Sequence, residues 1–238
     1  MLSKTYTAID SKNKKLRLGL IGARIDGHAG VIIDVLSLFE DIEIVAFFDS
    51  TPDLKGTCIN NIPVLGCIHD ATQDVLDNID EFHISIGDNK ARQELFIELK
   101  MKGLKFSTII HPTAVISNSA IIGEGCFIGA LAVVQCNVTI SNVSLINTAA
   151  VIEHDNIIGE AVHIAPNAAT AGRVKIGDLS FVGIGASIIP DIIIGESVFV
   201  AAGAVITKDV KKNTRMLGYF AKPHHENIYA DIDNDNDN

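Results

Sequence analysis

The sequence predicts an α/β domain of Rossmann-like layout followed by an all-β parallel helix of very short strands. Three observations carry this expectation. Strand-like and helix-like segments alternate from residue 16 to about 110; aliphatic residues then recur at every sixth position from Ile116 to Ile206 without an insertion; and the 238-residue chain has no Trp but abundant Ile, Val, Ala and Gly. Length alone allows one or two domains. Small and β-branched side chains suit stacked strands better than a helical bundle packed on large rings.

Residues 1–15 (MLSKTYTAIDSKNKK) are expected to form a flexible N-terminal segment, and no signal-type cleavage pattern follows its lysines. Over 16–110 the expectation is a Rossmann-like domain, reached element by element. LRLGLI is an apolar run that predicts a buried strand, GARIDGHAG a glycine-rich turn, AGVIIDVLSLF a helix by its spacing, and EIVAFFD a strand ending on the acid Asp49. DATQDVLDNID then predicts a helix, FHISIGD a strand, NKARQELFIELKMKG a helix stopped at Gly103, and LKFSTII a fourth strand. Strands alternating with helices imply a parallel sheet with crossover connections.

From His111 to about residue 222 the period is six. Every sixth residue from Ile116 to Ile206 is aliphatic except Thr170, and the residue two before each is mostly small. An α-helix would scatter such positions around its axis. Short straight faces joined at tight corners keep them on the inside of a prism, each coil burying its core only by stacking on its neighbours. Three hexads per coil give about five coils. Glycine follows the aliphatic at positions 123, 129, 159, 177, 183 and 195, where a side chain would crowd the bend. This lattice resembles the hexapeptide-repeat acyltransferases, and the resemblance implies a left-handed parallel β-helix assembled as a homotrimer.

The net charge is −10, but four aspartates fall in the final DIDNDNDN, so residues 223–238 are expected to be an acidic disordered tail. The mildly acidic remainder argues against a nucleic-acid partner. No apolar run approaches the roughly 20 residues of a membrane span, and a cytoplasmic protein is expected. Cys58, Cys67, Cys126 and Cys136 show no CxxC spacing and read as free thiols in small core slots.

Chemistry-bearing residues concentrate in two places. The first turn is not GxGxxG, yet its glycines let backbone amides approach a phosphate at a helix N-terminus, and Asp49 could accept from a hydroxyl or a base N–H. In INTAAVIEHDNIIGEAVHIAP, His154 is flanked by Glu153 and Asp155. A carboxylate contact orients an imidazole and raises its basicity, as a general base requires. His163 lies half a coil further on, so the two rings should sit on different sides of one prism and share a cleft only across a subunit boundary.

A short Rossmann-like domain, HPTA, and hexads carrying NTxxxIEHD together resemble the sialic acid O-acetyltransferase and bacillosamine-pathway N-acetyltransferase family over about residues 16–222. The resemblance implies acetyl transfer from acetyl-CoA to the 4-amino group of a nucleotide-linked deoxysugar, for surface glycan synthesis and without a metal. It makes His154 the general base, Asp155 its tuning acid and Asn147 an acceptor-positioning residue. It puts His163, Gly172, Ile184 and Ala202 along the acetyl-CoA groove, and Gly27, His28, Asp49, Ser50 and Gly87 against the nucleotide. Two departures stand out. GARIDGHAG is two residues longer than the family's G-A-S-G-H-G, and Gly218-Tyr219-Phe220-Ala221 replaces G-N-P-A.

Other readings are O-acetylation of a sialic-acid-type sugar, a hexad-prism zinc carbonic anhydrase, and a non-catalytic trimeric nucleotide-sugar-binding protein. The zinc reading needs three histidine ligands, and only two histidines lie in the hexads. The binding-protein reading gives no reason for IEHD. Direct attack on the thioester needs no Ser or Cys nucleophile, so Cys136, one coil before His154, reads as a lattice residue. His224 and His225 read as solvated.

Overall fold

The computed structural model describes residues 15–218, so the expected tail, Tyr219–Ala221, His224, His225 and all of the N-terminal segment but Lys15 lie outside the described residues. Strand β1 (Leu16–Ile21) leads through the glycine turn into α1 (His28–Leu36) and β2 (Ile42–Phe48). A two-residue hairpin, β3 (Cys58–Ile59) with β4 (Ile62–Pro63), and a short helix α2 (Gln73–Leu76) precede β5 (Glu81–Ile84) and α3 (Asn89–Met101). Strands β2, β1 and β5 form a parallel sheet in that order. Gly19 is required at its centre, because a Cβ there would stand 2.9 Å from the Phe82 ring.

Two expectations change here. The fourth strand does not form as one unit: Phe106 makes a single bridge to Phe82, while Ile109–Ile110 already belongs to the next architecture. The residues between them turn the chain, and Ser107 donates to Glu81 and Thr108 Oγ to the Gly123 carbonyl. The helix expected over DATQDVLDNID shrinks to four residues. The chain must turn there to feed β5, and Arg17 holds Asp80 through both its main-chain N–H and its guanidinium.

The rest is a parallel β-solenoid of about six coils, one more than the hexad count suggests, consistent with the left-handed β-helix of hexapeptide repeats. Two-residue strands stack in three faces of seven, six and five strands. Register advances one coil every 18 residues, as between Asn137 and Asp155. The first face runs from Ile109–Ile110 through His163–Ile164 to Arg215–Met216, the second from Val115–Ile116 through Val151–Ile152 to Val205–Ile206, and the third from Ile121–Ile122 through Ile157–Ile158 to Ile193–Ile194.

From Ile128 to Ile206 no residue of the sixfold row is more than 2% exposed, Thr170 included. The row two before it also points inward, so each face contributes two residues to the core rather than one. Its polar members donate to the neighbouring coil: Ser144 Oγ to Gly159 O at 2.8 Å, Ser180 Oγ to Gly195 O at 2.9 Å, and Asn156 Nδ2 to Ala171 O at 2.8 Å, while Asn156 Oδ1 is buried without a partner. The glycines that follow the sixfold row have the crowding expected of them. A Cβ on Gly177 would meet the Glu196 nitrogen at 2.6 Å.

Each corner needs one residue with positive φ. From Gly125 to Gly203 this position recurs every six residues, and it is filled by Leu131, Val143, Ala161 and Leu179 as readily as by Asn or Gly. At the corners leading into the first face, α3 locks the two architectures together. The fully buried Arg92 donates to the carbonyls of Val143 (2.6 Å) and Ala161 (3.1 Å), and Asn89 Nδ2 to those of Leu179 and Ser180. Gln93–Glu160 and Lys100–Glu124 contacts flank this lock. Below it, Phe127 and Leu145 of the first face pack with Leu18, Leu20 and Val35.

Candidate active site

His154 follows the strand Val151–Ile152 at the edge where the second face turns toward the third. Asp155 takes the left-handed corner position (φ 59°), which swings its carboxylate back over the ring. His154 Nδ1 lies 2.7 Å from Asp155 Oδ2. Asp155 Oδ1 accepts from Asn137 Nδ2 of the preceding coil at 3.0 Å. The hydrogen bonds from His154 and Asn137, with Arg173 nearby, hold the Asp155 carboxyl below the usual carboxylate range. With Asp155 ionised, Nδ1 carries the proton and Nε2 keeps its lone pair. The His154 side chain is 42% exposed, so an acceptor can reach it.

Asn156 completes this corner from the inside and was not singled out by the sequence reading. Its Nδ2 donates to the carbonyls of Glu153 (2.6 Å), His154 (3.3 Å) and Ala171. The available signal was an amide in a row otherwise filled by small or aliphatic residues. Gly172 lies directly over the His154 ring.

The other expected groove residues gather elsewhere. His163 projects from the first face, edge-on to Phe181 at 5.0 Å, and Phe181 stacks in turn on Phe199 at 5.3 Å. Asn147 joins His163, not His154, within the chain: its Oδ1 accepts from Thr148 N, which orients the amide so that Nδ2 faces His163 Nε2 at 3.3 Å. Exposed Ile184 and Ala202 stack on consecutive coils at the edge between the first and second faces. His154 and Gly172 occupy one edge of the second face; His163, Asn147, Ile184 and Ala202 lie along the other.

At the α/β end, a cleft of about 140 Å³ is lined by Asp49, Ser50, Gly22, Cys67, His69 and Ile86 among others. His69, absent from the sequence expectations, pairs with Glu98 at 3.1 Å. Asp49 is partly committed: Oδ2 accepts from Ala23 N at 2.8 Å and Oδ1 from Thr51 N at 2.9 Å. Burial opposes ionisation of this carboxyl, but those amides outweigh it and keep its pKa low. Gly27 caps α1 and is exposed; Gly87 is open around its Cα, and its carbonyl accepts from Arg92. His28, expected against the nucleotide, is half-buried at the start of α1. Its ring packs edge-on to Phe127 at 5.0 Å with Nε2 buried and unpartnered. Burial, with His83, His163 and Arg92 nearby, pushes its pKa down to about 3.

A larger cleft, about 560 Å³, lies between β1 and the first coil and contains none of the candidate residues. Among the described residues no group of three or more His, Cys, Asp or Glu is placed to hold a metal ion, and no helix is long and apolar enough to cross a membrane. All four cysteines are free, but only Cys126 fills a core slot; Cys58 is exposed on the β3–β4 hairpin and Cys136 on an outward row of the solenoid. Burial raises the Cys126 thiol to about 12.

Residues 17–99 match the PglD N-terminal domain family, and residues 173–208 the bacterial transferase hexapeptide (six repeats) family. Perosamine N-acetyltransferase from Caulobacter crescentus, solved with CoA and GDP-perosamine, is 31% identical with a TM-score of 0.77, covering 84% of this chain and 92% of that one. The chain belongs to the hexapeptide-repeat sugar N-acetyltransferases. The acetyltransferase domain of PglB from Neisseria gonorrhoeae FA1090 is similar at 30% identity and TM-score 0.76, covering 84% of this chain and 96% of that domain. UDP-N-acetylbacillosamine N-acetyltransferase of Bacillus subtilis (strain 168) is 45% identical over 49 residues, a match spanning 23% of that protein's length and 21% of this sugar N-acetyltransferase family member.

Proposed function

We propose that the protein transfers acetyl from acetyl-CoA to the amino group, at position 4, of a nucleotide-linked deoxysugar. The observation that carries this reading is the His154–Asp155 pair, at 2.7 Å on an open edge of the solenoid. The amine nitrogen attacks the thioester carbonyl carbon as His154 Nε2 takes its proton. The C–S bond then breaks, and the thiolate leaves with the proton returned by the imidazolium. No covalent enzyme intermediate is needed.

The nucleotide-linked acceptor is assigned to the Asp49–Ser50 cleft and the adjoining Gly27 and Gly87, and acetyl-CoA to the edge carrying His163, Ile184 and Ala202, with Asn147 steering the acceptor. Solved relatives bind CoA together with GDP-perosamine, or acetyl-CoA, which supports both substrate classes. The two edges flank the second face, whose outward column of Val115, Val133, Val151, Ala169 and Val205 is apolar except at Ser187. A homotrimer packed through that face would set His154 of one subunit opposite His163 of the next. The substrates make the cytoplasm the natural compartment, and surface glycan precursors the natural product.

The test is a thiol-release assay with acetyl-CoA against nucleotide-linked 4-amino sugars, hydroxyl-bearing sugar acids as a parallel series, and mass spectrometry of products. Release with amino acceptors supports the reading. Release only with hydroxyl acceptors turns it to O-acetylation, and none with any acceptor leaves a binding protein.

A further inference from the structure

We infer that Gly172 is a positioning residue for His154: its missing Cβ is the space in which the imidazole is held. This rests on the proposed role of His154 as general base. A Cβ built on Gly172 would stand 2.5 Å from both Cε1 and Nε2 of the His154 ring and 3.2 Å from Nδ1. Those separations are far inside van der Waals contact, and they fall on the ring edge that must meet the acceptor amine.

The clash cannot be relieved by separating the coils. Asp155 N donates to Cys136 O at 3.0 Å, Arg173 N to His154 O at 3.0 Å, and Asp191 N to Gly172 O at 3.1 Å, so the backbone on both sides of the ring is pinned. Nor can Asp155 follow the ring, since Asn137 holds its other oxygen. Any added side chain at Gly172 therefore rotates the imidazole off Asp155 and turns Nε2 from its line. A displacement of about 1 Å at a reacting group is enough to cost on the order of 100-fold in rate. This role differs from lining the acetyl-CoA groove, which predicts an effect on acetyl-CoA binding instead.

The experiment is a double-mutant cycle on the full chain with Gly172→Ala and His154→Ala, measuring kcat and the KM for acetyl-CoA, with thermal unfolding of each variant. Gly172→Ala is expected to lower kcat by at least about 10-fold, leave the KM for acetyl-CoA within about twofold, and have no further effect in the His154→Ala background. Nitrogen-15 NMR of the imidazole supplies a readout independent of turnover: the Nδ1-protonated signature of His154 should be lost or shifted in Gly172→Ala. Full kcat in Gly172→Ala beside a crippled His154→Ala overturns this inference alone. So does a raised KM with kcat intact, or an equal loss in both backgrounds. Full activity in His154→Ala removes the general-base reading, and this one with it. If Gly172→Ala unfolds, the double variant Gly172→Ala/His154→Ala, in which the clashing ring is absent, must fold with the thermal midpoint of His154→Ala; a double variant that unfolds as well overturns the inference.

Discussion

Arg92 Nε lies 2.6 Å from the carbonyl of Val143, joining a helix of the α/β domain to a solenoid corner whose β-branched residue sits at φ 48°. The guanidinium is fully buried, and its other acceptors are the carbonyls of Ile86, Gly87 and Ala161 and the Asn89 side chain. None is a carboxylate. Burial, only partly offset by the nearby Asp88 carboxylate, pulls its pKa down to about 10, still well above neutrality. The charge is kept because a planar fork reaches several carbonyls at once, a geometry that lysine lacks.

Replacing Arg92 by Met should therefore strand several buried carbonyls and destabilise the junction by roughly 3–5 kcal/mol. Urea unfolding should split into two transitions, the α/β half melting first, and Arg92→Lys should recover little of the loss.

His154→Ala should lower kcat about 10²- to 10⁴-fold with the thermal midpoint unchanged, the range expected for removing one general base. Asp155→Asn should have a smaller effect of the same sign, because it leaves the ring in place but weakens its orientation. Steady-state kinetics of both variants check this.

Acid should destabilise the domain junction. Burial is the main cause that pushes His28 down to about 3, and His83 and His163 each to about 4, from an ordinary value of 6.5. The fold refuses protons that the unfolded chain accepts once pH drops below 6.5. Stability is thus complete above that value and falls as pH goes from 6.5 toward 4, by up to about 1.4 kcal/mol per pH unit for each histidine. Asp49 and Asp155, held low, contribute losses only as pH drops below their ordinary 3.8. Thermal unfolding across pH 7 to 4.5 should show this slope, and His83→Gln should make it shallower whatever its effect at pH 7.

Two kinds of solenoid glycine should respond differently to alanine. At Gly177 the new methyl would meet backbone of the next coil at 2.6 Å, whereas at Gly203 (φ 67°) nothing lies within 4 Å. Gly177→Ala should cost about 3 kcal/mol through overpacking. Gly203→Ala should cost only the roughly 1 kcal/mol of a left-handed alanine. Chemical denaturation ranks them.

The solenoid was legible because its signal is a strict period, and the row of Ile and Val states it directly. The His154–Asp155 pair was legible because the two are adjacent and the corner follows from the register. Arg92 was not, since a basic residue in NKARQELFIELKMKG reads as a solvated helix face until the partner carbonyls arrive from 51 and 69 residues away. Leu131, Val143 and Leu179 carry no local sign of a left-handed backbone, because stacking of coils, not their own preference, imposes it. The pairing of Asn147 with His163 is likewise a contact between coils, invisible to spacing within one.

The 18-residue register, in which Leu145 sits over Phe127 and His163 over Leu145, makes the solenoid a ruler for length change. Removing a single hexad between His154 and Gly172 would wind everything after it back by one face. Gly172 would leave the His154 column, Ile184 and Ala202 would move to another edge, and Arg215 would no longer lie over Phe199. Only the loss or gain of a whole coil keeps every column in phase. Deletions and insertions in this half of the chain are therefore quantised, and variation in coil number changes the height of the prism without exchanging its edges.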